Sequence, residues 1–463
     1  MEFLLSKLHE IFKGVNLLEH SNKAKALRTF YFIGVSPLII AYYAAAFYPG
    51  YLTADSLYML SQGAGLQPLS NWHPPFITMV WGWLFSLFKS AGGVWLIQIS
   101  LYVGAVIFFV TRLSSTTVAT IVFALLLLYP PIFTNMAALW KDCWVISTTL
   151  ICAAYSIEAI KSKKTSPLLF CTVLFIISSL IRIDYAIIAL PFLLSAIAFG
   201  CGNKPHTTTN SFFNRRNFLL VLAVMIAFVI CTKIIGTKVV DKFNPWLSVA
   251  IWDIAGTEKN STPETSVPGY KCSTSDPLVF GENRKFDINL PEHSAGTDRK
   301  QESKKYLKLW LSTIVSNPLA YAKHRICVGK SFFAVGTDEV HYPYPAAEMS
   351  QSSLTQHAER SALNLERYWF YDKNAHGPMF RYWYYIASCL IFLGLYVIAK
   401  RISVIQMAAF LSVILAASRF LILPAADFRY GLWIVIGTIA FAALLFDRLF
   451  DYSVKSVRAD APE

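Results

Sequence analysis

The run GVWLIQISLYVGAVIFFVT (residues 93–111) contains nineteen residues and no charged side chain. A helix needs about 20 predominantly apolar residues to cross the hydrocarbon core of a bilayer. Similar runs recur through the 463-residue chain, which is 55% hydrophobic and only 15% charged. Soluble domains average about 25% charged residues. The sequence therefore predicts an all-α polytopic membrane protein.

Further apolar segments indicate about ten membrane spans in all. The first follows a charged leader and lacks the small-residue cleavage pattern of a signal peptide, so we expect it to be retained. A separate run, 76–88, has 13 residues and suits an interfacial or re-entrant helix better than a span. The predicted spans are 29–48, 93–111, 117–134, 143–160, 167–181, 185–200, 217–236, 379–399, 402–422 and 431–447.

The basic residues decide the orientation, because Lys and Arg concentrate in cytoplasmic loops. If 76–88 does not cross, seventeen Lys and Arg lie in inside segments, and the short outside segments carry four: Lys89, Lys141, Arg182 and Arg429. If 76–88 crossed, the basic loops around KSKK and RRN would lie outside and this bias would largely vanish. We therefore predict that both chain ends are cytoplasmic. The net charge of +13 is then a consequence of topology, and no nucleic-acid partner is expected.

This topology divides the chain into five parts. Two transmembrane regions flank an outer, periplasmic domain, and the first of them includes an outer loop, 49–92, that holds candidate catalytic residues. The parts are a cytoplasmic segment (1–28), a transmembrane region (29–236), the periplasmic domain (237–378), a second transmembrane region (379–447) and a cytoplasmic tail (448–463).

The periplasmic domain is expected to be small and mainly helical. Apolar residues recur at helical spacing between Lys304 and Ile326, and Asn317-Pro318 interrupts the pattern. Cys272 and Cys327 fall in this domain. They could form a disulfide if the domain is extracytoplasmic, or they could remain free thiols.

The outer face collects charged residues at the edges of several spans. Asp55 and His73 lie in YPGYLTADSLYMLSQGAGLQPLSNWHPPF (residues 48–76). A charge near hydrocarbon costs a few kcal/mol unless it snorkels, pairs or lines a wet cavity. These residues are therefore either interfacial anchors and mutual ion pairs or parts of one site. The others on this face are Lys141, Asp142, Arg182, Asp184, Arg419, Asp427 and Arg429.

A shared site would suit a lipid that carries phosphate. Arg and Lys bind phosphate through charge-assisted hydrogen bonds. A partly dehydrated carboxylate such as Asp55 could accept a proton from a hydroxyl, and burial would raise its pKa toward the working range. His73 precedes Pro74-Pro75, which fix the backbone and start a helix. His73 could orient Asp55 or contact phosphate, or it could be an interfacial histidine without chemistry.

These motifs resemble the GT-C superfamily of polytopic glycosyltransferases that use polyprenyl-phosphate sugars. The resemblance is carried by Asp55-Ser56 and Trp72-His73-Pro74-Pro75, after one span and before a short amphipathic helix. The motifs LWKD, NPLAYAKHR and DFRY, with Arg182, look like bacterial serotype-converting O-antigen glucosyltransferases. The resemblance implies a GT-C-like bundle. It departs from the family where Ser56 stands in place of a second adjacent acid, which puts a two-carboxylate or metal site in doubt.

The resemblance implies roles for individual residues. Asp55 matches the catalytic base, and His73 matches the first residue of the Pro-Pro motif. Asp142 is a possible second acid, in a loop where relatives carry one. Donor phosphate would be held by Lys141, Arg182 and Arg429, with Arg419 as an alternative to Arg429. No metal ligand set and no required cofactor are expected, and a divalent metal is left open.

The predicted function is the inverting transfer of a sugar, glucose by the resemblance, from polyprenyl phosphate to a periplasmic glycan or glycolipid such as lipid-linked O-antigen. The predicted location is the bacterial inner membrane, with the site on the periplasmic face. An alternative is a transporter or flippase for a lipid-linked saccharide, which would use the same cations without a base. A third is a structural membrane protein whose outer domain binds partners, which leaves the clustered charges unexplained.

Overall fold

The computed structural model describes residues 22–200, 215–261, 270–275, 299–336, 378–398 and 402–459. Most of the predicted cytoplasmic segment and much of the predicted periplasmic domain lie outside the described residues. The ranges outside are 1–21, 201–214, 262–269, 276–298, 337–377, 399–401 and 460–463.

The described chain is helical, and isolated backbone bridges replace regular strands within it. Helices α1 to α10 are Asn22–Phe47, Ala54–Gly63, Pro75–Phe88, Ala91–Val110, Thr116–Leu128, Pro130–Met136, Lys141–Ser162, Thr165–Ile181, Tyr185–Gly200 and Arg215–Gly236. Helices α11 to α16 are Trp246–Ser261, Arg299–Ser316, Pro318–Phe333, Tyr382–Ile398, Val404–Ser418 and Leu432–Ala459. Short 3₁₀ turns lie at Pro378–Phe380, Arg419–Leu421 and Phe428–Gly431.

Five helical segments of the described chain are long and apolar enough to cross a bilayer: Ala26–Phe47, Ala91–Val110, Lys141–Ser162, Val404–Leu421 and Phe428–Phe450. Shorter apolar helices occupy other predicted spans, including α8, α9 and α14. Large apolar side chains such as Phe30 and Leu38 are exposed on α1, as a surface in contact with lipid requires. These features fit a membrane-embedded helical protein.

The predicted span 117–134 is not one helix. Helix α5 ends at Leu128, and α6 begins at Pro130 with a bend of 50°. A proline lacks the N–H that a helix interior needs, and its ring clashes with the preceding turn. Pro130 and Pro131 therefore start a new helix instead of continuing α5.

Helix α7 lies at the centre of the bundle and packs against α4, α8 and α9, while α15 packs against α9 and α16. The side chains of α7 are buried around most of its circumference, as expected for a helix surrounded by others. Because α7 has 22 residues, its ends lie roughly 30 Å apart. The bundle therefore has two separate polar ends.

One polar end consists of structural contacts. The Arg28 guanidinium donates to the Leu113 carbonyl at 2.9 Å, and Lys161 Nζ donates to the Arg112 carbonyl at 2.7 Å. Asp447 Oδ1 accepts the backbone N–H of Ser115 at 2.7 Å. These contacts bring together the first part of α1, the ends of α4 and α7 and the middle of α16. The residues singled out as a candidate site lie at the other end of α7 and α16.

Helices α2 and α3 form a close pair in the 49–92 loop. Gly63 lies so near Gly82 that a Cβ on either residue would overlap the backbone of the other. Helix α3 begins at Pro75 with Pro74 as its N-cap. The predicted helix start after His73 is thus confirmed, and α3 has 14 residues.

Helices α11, α12 and α13 form a separate small unit around Leu247, Ile251, Trp252 and Val328. Cys272 and Cys327 are joined by a disulfide, with 5.7 Å between their Cα atoms. Of the two alternatives for these cysteines, the structure therefore has the bridged one.

Candidate functional site

Local pairing brings the 49–92 loop to the start of α7. The Tyr51 N–H donates to the Ala137 carbonyl, and the Tyr51 carbonyl accepts from Leu139, both at 2.9 Å. The Thr53 N–H donates to Ser56 Oγ, and this hydroxyl donates to the Leu139 carbonyl at 2.6 Å. Helix α2 therefore starts beside α7, and the first turn of α2 faces Lys141.

Asp55 forms an ion pair with Arg429. Arg429 Nη1 lies 2.7 Å from Asp55 Oδ2, and Arg429 Nε lies 3.1 Å from Asp427 Oδ2. One buried guanidinium thus bridges two carboxylates that are far apart in the sequence. This long-range contact joins the 49–92 loop to the start of α16.

His73 lies between Lys141 and Asp55. Lys141 Nζ donates to His73 Nδ1 at 2.8 Å, because an ammonium has only donors. The N–H of a neutral imidazole is then on Nε2, which faces Asp55 Oδ1 at 3.7 Å. This arrangement suits the predicted role of His73 in orienting Asp55.

Arg182 and Arg419 belong to a second network beside the first. Arg182 pairs with Asp142 through Nη1 and with Asp184 Oδ1 through Nε at 2.9 Å. Arg419 pairs with Asp184 Oδ2 and donates to the Tyr430 carbonyl at 2.7 Å. Both guanidinium groups are therefore already neutralised by Asp142 and Asp184.

Aromatic rings separate and cover these charges. The Arg182 guanidinium lies over the Tyr430 ring at 4.6 Å, and Arg419 lies over Tyr185 at 4.7 Å. Arg429 lies 5.3 Å from the centre of the Trp140 ring. Guanidinium groups stack favourably on such rings. The rings therefore help to fix the arginines in place.

The prediction that the pKa of Asp55 is raised is wrong. Burial acts in that direction, but Arg429, His73 and Lys141 together outweigh it and hold the pKa well below its usual range. The carboxylate is therefore ionised, and Arg429 suppresses its basicity. Burial, followed by the charge of Lys141, lowers the pKa of His73 to about 3, so His73 is neutral at physiological pH.

Accessibility distinguishes the two acids singled out in the sequence. The Asp55 side chain is 33% exposed, although its partner Arg429 is only 9% exposed. The Asp142 side chain is 1% exposed and paired with Arg182. Only Asp55 of these two presents an oxygen to a molecule arriving from outside.

The cluster is balanced in charge. Four cations, Lys141, Arg182, Arg419 and Arg429, face four carboxylates, Asp55, Asp142, Asp184 and Asp427. Among the described residues, Lys141 is the cation of this group that forms no ion pair with a carboxylate within 4.0 Å. A further anion would therefore meet Lys141 without displacing a carboxylate from it.

A groove of about 360 Å³ lies elsewhere, between the end of α2 and the middle of α3, and is lined by Gly63, Gly82, Trp83 and Lys89. It contains one cation and no carboxylate. We place the candidate site at Asp55 because the charged side chains converge there.

The structure brings together Asp55, His73, Lys141 and Arg429, and it places Asp142, Arg182 and Arg419 in the adjoining network. Tyr185 and Tyr430, whose rings lie against these arginines, were not predicted from the sequence. The motifs RIDY and DFRY each place a tyrosine directly after an Arg and Asp pair. This repeated pattern was the available signal.

No family model, curated protein or solved structure matches the chain.

Proposed function

We propose that this chain is an inverting membrane glycosyltransferase that moves a sugar, glucose by the resemblance, from polyprenyl phosphate to a periplasmic glycan such as lipid-linked O-antigen. The observation that carries the proposal is an accessible carboxylate, Asp55, held among three groups that can serve a phosphate ester: Arg429, Lys141 and His73. Transfer of a sugar from a lipid phosphate requires a base for the acceptor hydroxyl and, beside it, cations that bind the phosphate.

Binding of the donor would activate the base. The phosphodiester of the donor is an anion, and it competes with Asp55 for Arg429 while also contacting Lys141. As Arg429 turns toward phosphate, Asp55 loses the charge that suppresses its basicity. The carboxylate then becomes a competent base only when the donor is present.

The transfer step balances. Asp55 takes the proton of the acceptor hydroxyl, and the acceptor oxygen bonds to the anomeric carbon from the face opposite the phosphate. The bond between that carbon and the phosphate oxygen breaks, and its electron pair stays on phosphate. The phosphate gains one negative charge as Asp55 loses one, so Arg429 is free to stabilise the leaving group. Direct displacement inverts the anomeric carbon.

Lys141→Gln is expected to weaken binding of the lipid phosphate. The loss should be roughly 1.5–3 kcal/mol, the scale of a hydrogen bond to a charged group, or about a 10- to 150-fold increase in Kd. Because Lys141 pairs with neutral His73, this change leaves no buried carboxylate without a partner. Titration of the purified protein with polyprenyl phosphate measures the effect. Lys164→Gln, at the exposed start of α8, is the matched control, and equal Kd values for the two variants would refute the role of Lys141.

The ten-span topology belongs to the same proposal, with both chain ends in the cytoplasm and residues 237–378 in the periplasm. It is supported by the charge bias and by the separation of the two polar ends of α7. In intact cells, an impermeant thiol reagent should label Ser303→Cys, whereas Lys164→Cys should be labelled only after lysis. The reverse pattern would contradict this orientation.

The function is tested by incubating the purified protein with polyprenyl-phosphate glucose and candidate glycans and measuring transfer. Glycosylated acceptor together with free polyprenyl phosphate is the expected result. Movement of the intact lipid-linked sugar across vesicles, with no transfer, would instead favour the flippase alternative.

A further inference from the structure

The connection between α15 and α16, residues 419–431, contains Arg419, Asp427 and Arg429 of the charge cluster. This connection is held in place by contacts with α13. Arg325 on α13 donates through Nη1 to the carbonyl of Phe420 at 3.3 Å. The Phe420 ring lies against Gly329, where a Cβ would come within 3.2 Å of it. One end of this connection, next to Arg419, is therefore attached to α13.

Arg325 is itself fixed by Asp253 on α11. Arg325 Nε and Nη2 contact the two Asp253 oxygens at 2.7 and 2.8 Å. Trp310 Nε1 donates to Asp253 Oδ2 at 2.9 Å, and His324 Nε2 lies 3.1 Å from Oδ1. The buried Asp253 carboxylate is thus contacted from α12 and α13, and these contacts help to fix the three helices relative to one another.

The disulfide attaches the other end of the connection to the same helix. Cys327 on α13 is bonded to Cys272. The residues after Cys272 pair with the connection, because Ala426 N–H donates to the Ser273 carbonyl at 2.6 Å and Ser275 N–H donates to the Pro424 carbonyl at 3.0 Å. The next residue after Ala426 is Asp427, which binds Arg429.

A continuous set of contacts thus runs from the disulfide to Asp55. It passes through residues 273–275, the paired residues 424–426, Asp427 and Arg429. The pairing segment 270–275 is short and is attached covalently at Cys272. Besides the disulfide, the two backbone hydrogen bonds hold residues 273–275 on the connection. Nearer its start, the segment is held by Trp252 Nε1, which donates to the Lys271 carbonyl at 2.8 Å, and by Tyr270, which lies 2.8 Å from His324 Nδ1.

We propose that Cys272, Cys327 and Arg325 are positioning residues that hold Arg429 on Asp55 by clamping residues 419–431 between two attachments to α13. Their importance for turnover rests on the proposed function, but their effect on the ion pair does not. Loss of the disulfide is expected to loosen Asp427 and Arg429, and Asp55 then becomes protonated more readily. None of the three residues contacts Asp55 itself in the described structure.

The test measures Asp55 directly. A hydrophobic carbodiimide reacts with protonated carboxyl groups, so the modification of the Asp55 peptide, quantified by mass spectrometry, reports loss of the Arg429 pair. The full chain is compared as wild type, as the double variant Cys272→Ser with Cys327→Ser, and as Arg429→Gln. Each unit of increase in the pKa of Asp55 raises the protonated fraction about tenfold. The peptide that contains Glu158, at the opposite end of α7, is the internal control.

We expect the double variant and Arg429→Gln to raise labelling of Asp55, and the two changes together to add nothing to Arg429→Gln alone. Fully additive effects, or unchanged labelling without the disulfide, would overturn the proposal. If the double variant does not fold, Ser275→Pro decides, because it removes one N–H of the clamp and keeps the disulfide. Disulfide-dependent labelling in a protein that never transfers sugar would refute the proposed function and leave the clamp intact.

Discussion

Asp55→Asn is expected to leave the protein folded and able to bind donor lipid while reducing turnover by about 10²–10⁴, the range for loss of a general base. The amide keeps the shape of the side chain, and its oxygen can still accept from Arg429. It cannot take the proton of the acceptor hydroxyl. Initial rates at saturating donor, together with a binding titration of polyprenyl phosphate, separate the chemical step from binding.

Two comparisons make this result specific. Glu158→Gln removes an acid at the opposite end of α7, where Glu158 pairs with Arg112 at 3.1 Å, and surface pairs of this kind contribute about 0–1 kcal/mol. Its turnover should be unchanged. If Asp55→Asn kept near-normal transfer while Asp142→Asn abolished it, the base would be Asp142, despite its burial. If neither change mattered, the flippase alternative would lead.

Much of the architecture could be predicted from composition. The apolar runs identify helices because a chain in lipid must satisfy its backbone groups internally. Pro74 and Pro75 correctly predicted the start of α3. The same reasoning applied to Pro130 and Pro131 would have predicted the break between α5 and α6, which a pure count of apolar residues overlooks.

The predicted topology placed Asp55, His73, Lys141 and Arg429 on one face and left open whether they form one site. The structure brings the four side chains together. The pairing within that face was not predictable, because register and rotation of each helix depend on packing against its neighbours. Sequence spacing could not indicate that Arg429 contacts Asp55 whereas Arg419 contacts Asp184.

The error about the pKa of Asp55 has the same origin. Its aromatic and aliphatic neighbours are visible in the sequence, and they predict desolvation. The opposing cations come from elements separated by up to several hundred residues. Because an opposite charge within hydrogen-bonding distance can exceed the cost of burial, the sign of the shift depends on contacts that only the folded chain contains.

Arg429→Gln is expected to have the other large effect, because this residue serves both Asp55 and the leaving phosphate. Loss of one charge-stabilising donor typically reduces kcat by about 10²–10³. The variant should also lose stability, since the pairs of Arg429 with Asp55 and Asp427 are broken, and breaking a buried pair costs about 3–5 kcal/mol. Thermal unfolding in detergent therefore accompanies the kinetics. Arg112→Gln, which breaks the Arg112 pair with Glu158, is the matched control.

The pH dependence separates a role in chemistry from a role in folding. In the wild type, Arg429 holds the pKa of Asp55 below its usual range, so kcat/KM should show no acidic limb from Asp55 above about pH 5, well clear of the ordinary aspartate value near 3.9. Without Arg429, burial is less opposed and the pKa rises. The carboxylate then protonates as pH falls, and residual activity should decline on the acidic side. A folded Arg429→Gln protein with low activity and an unchanged pH profile would mean that Arg429 acts on phosphate alone and does not control Asp55.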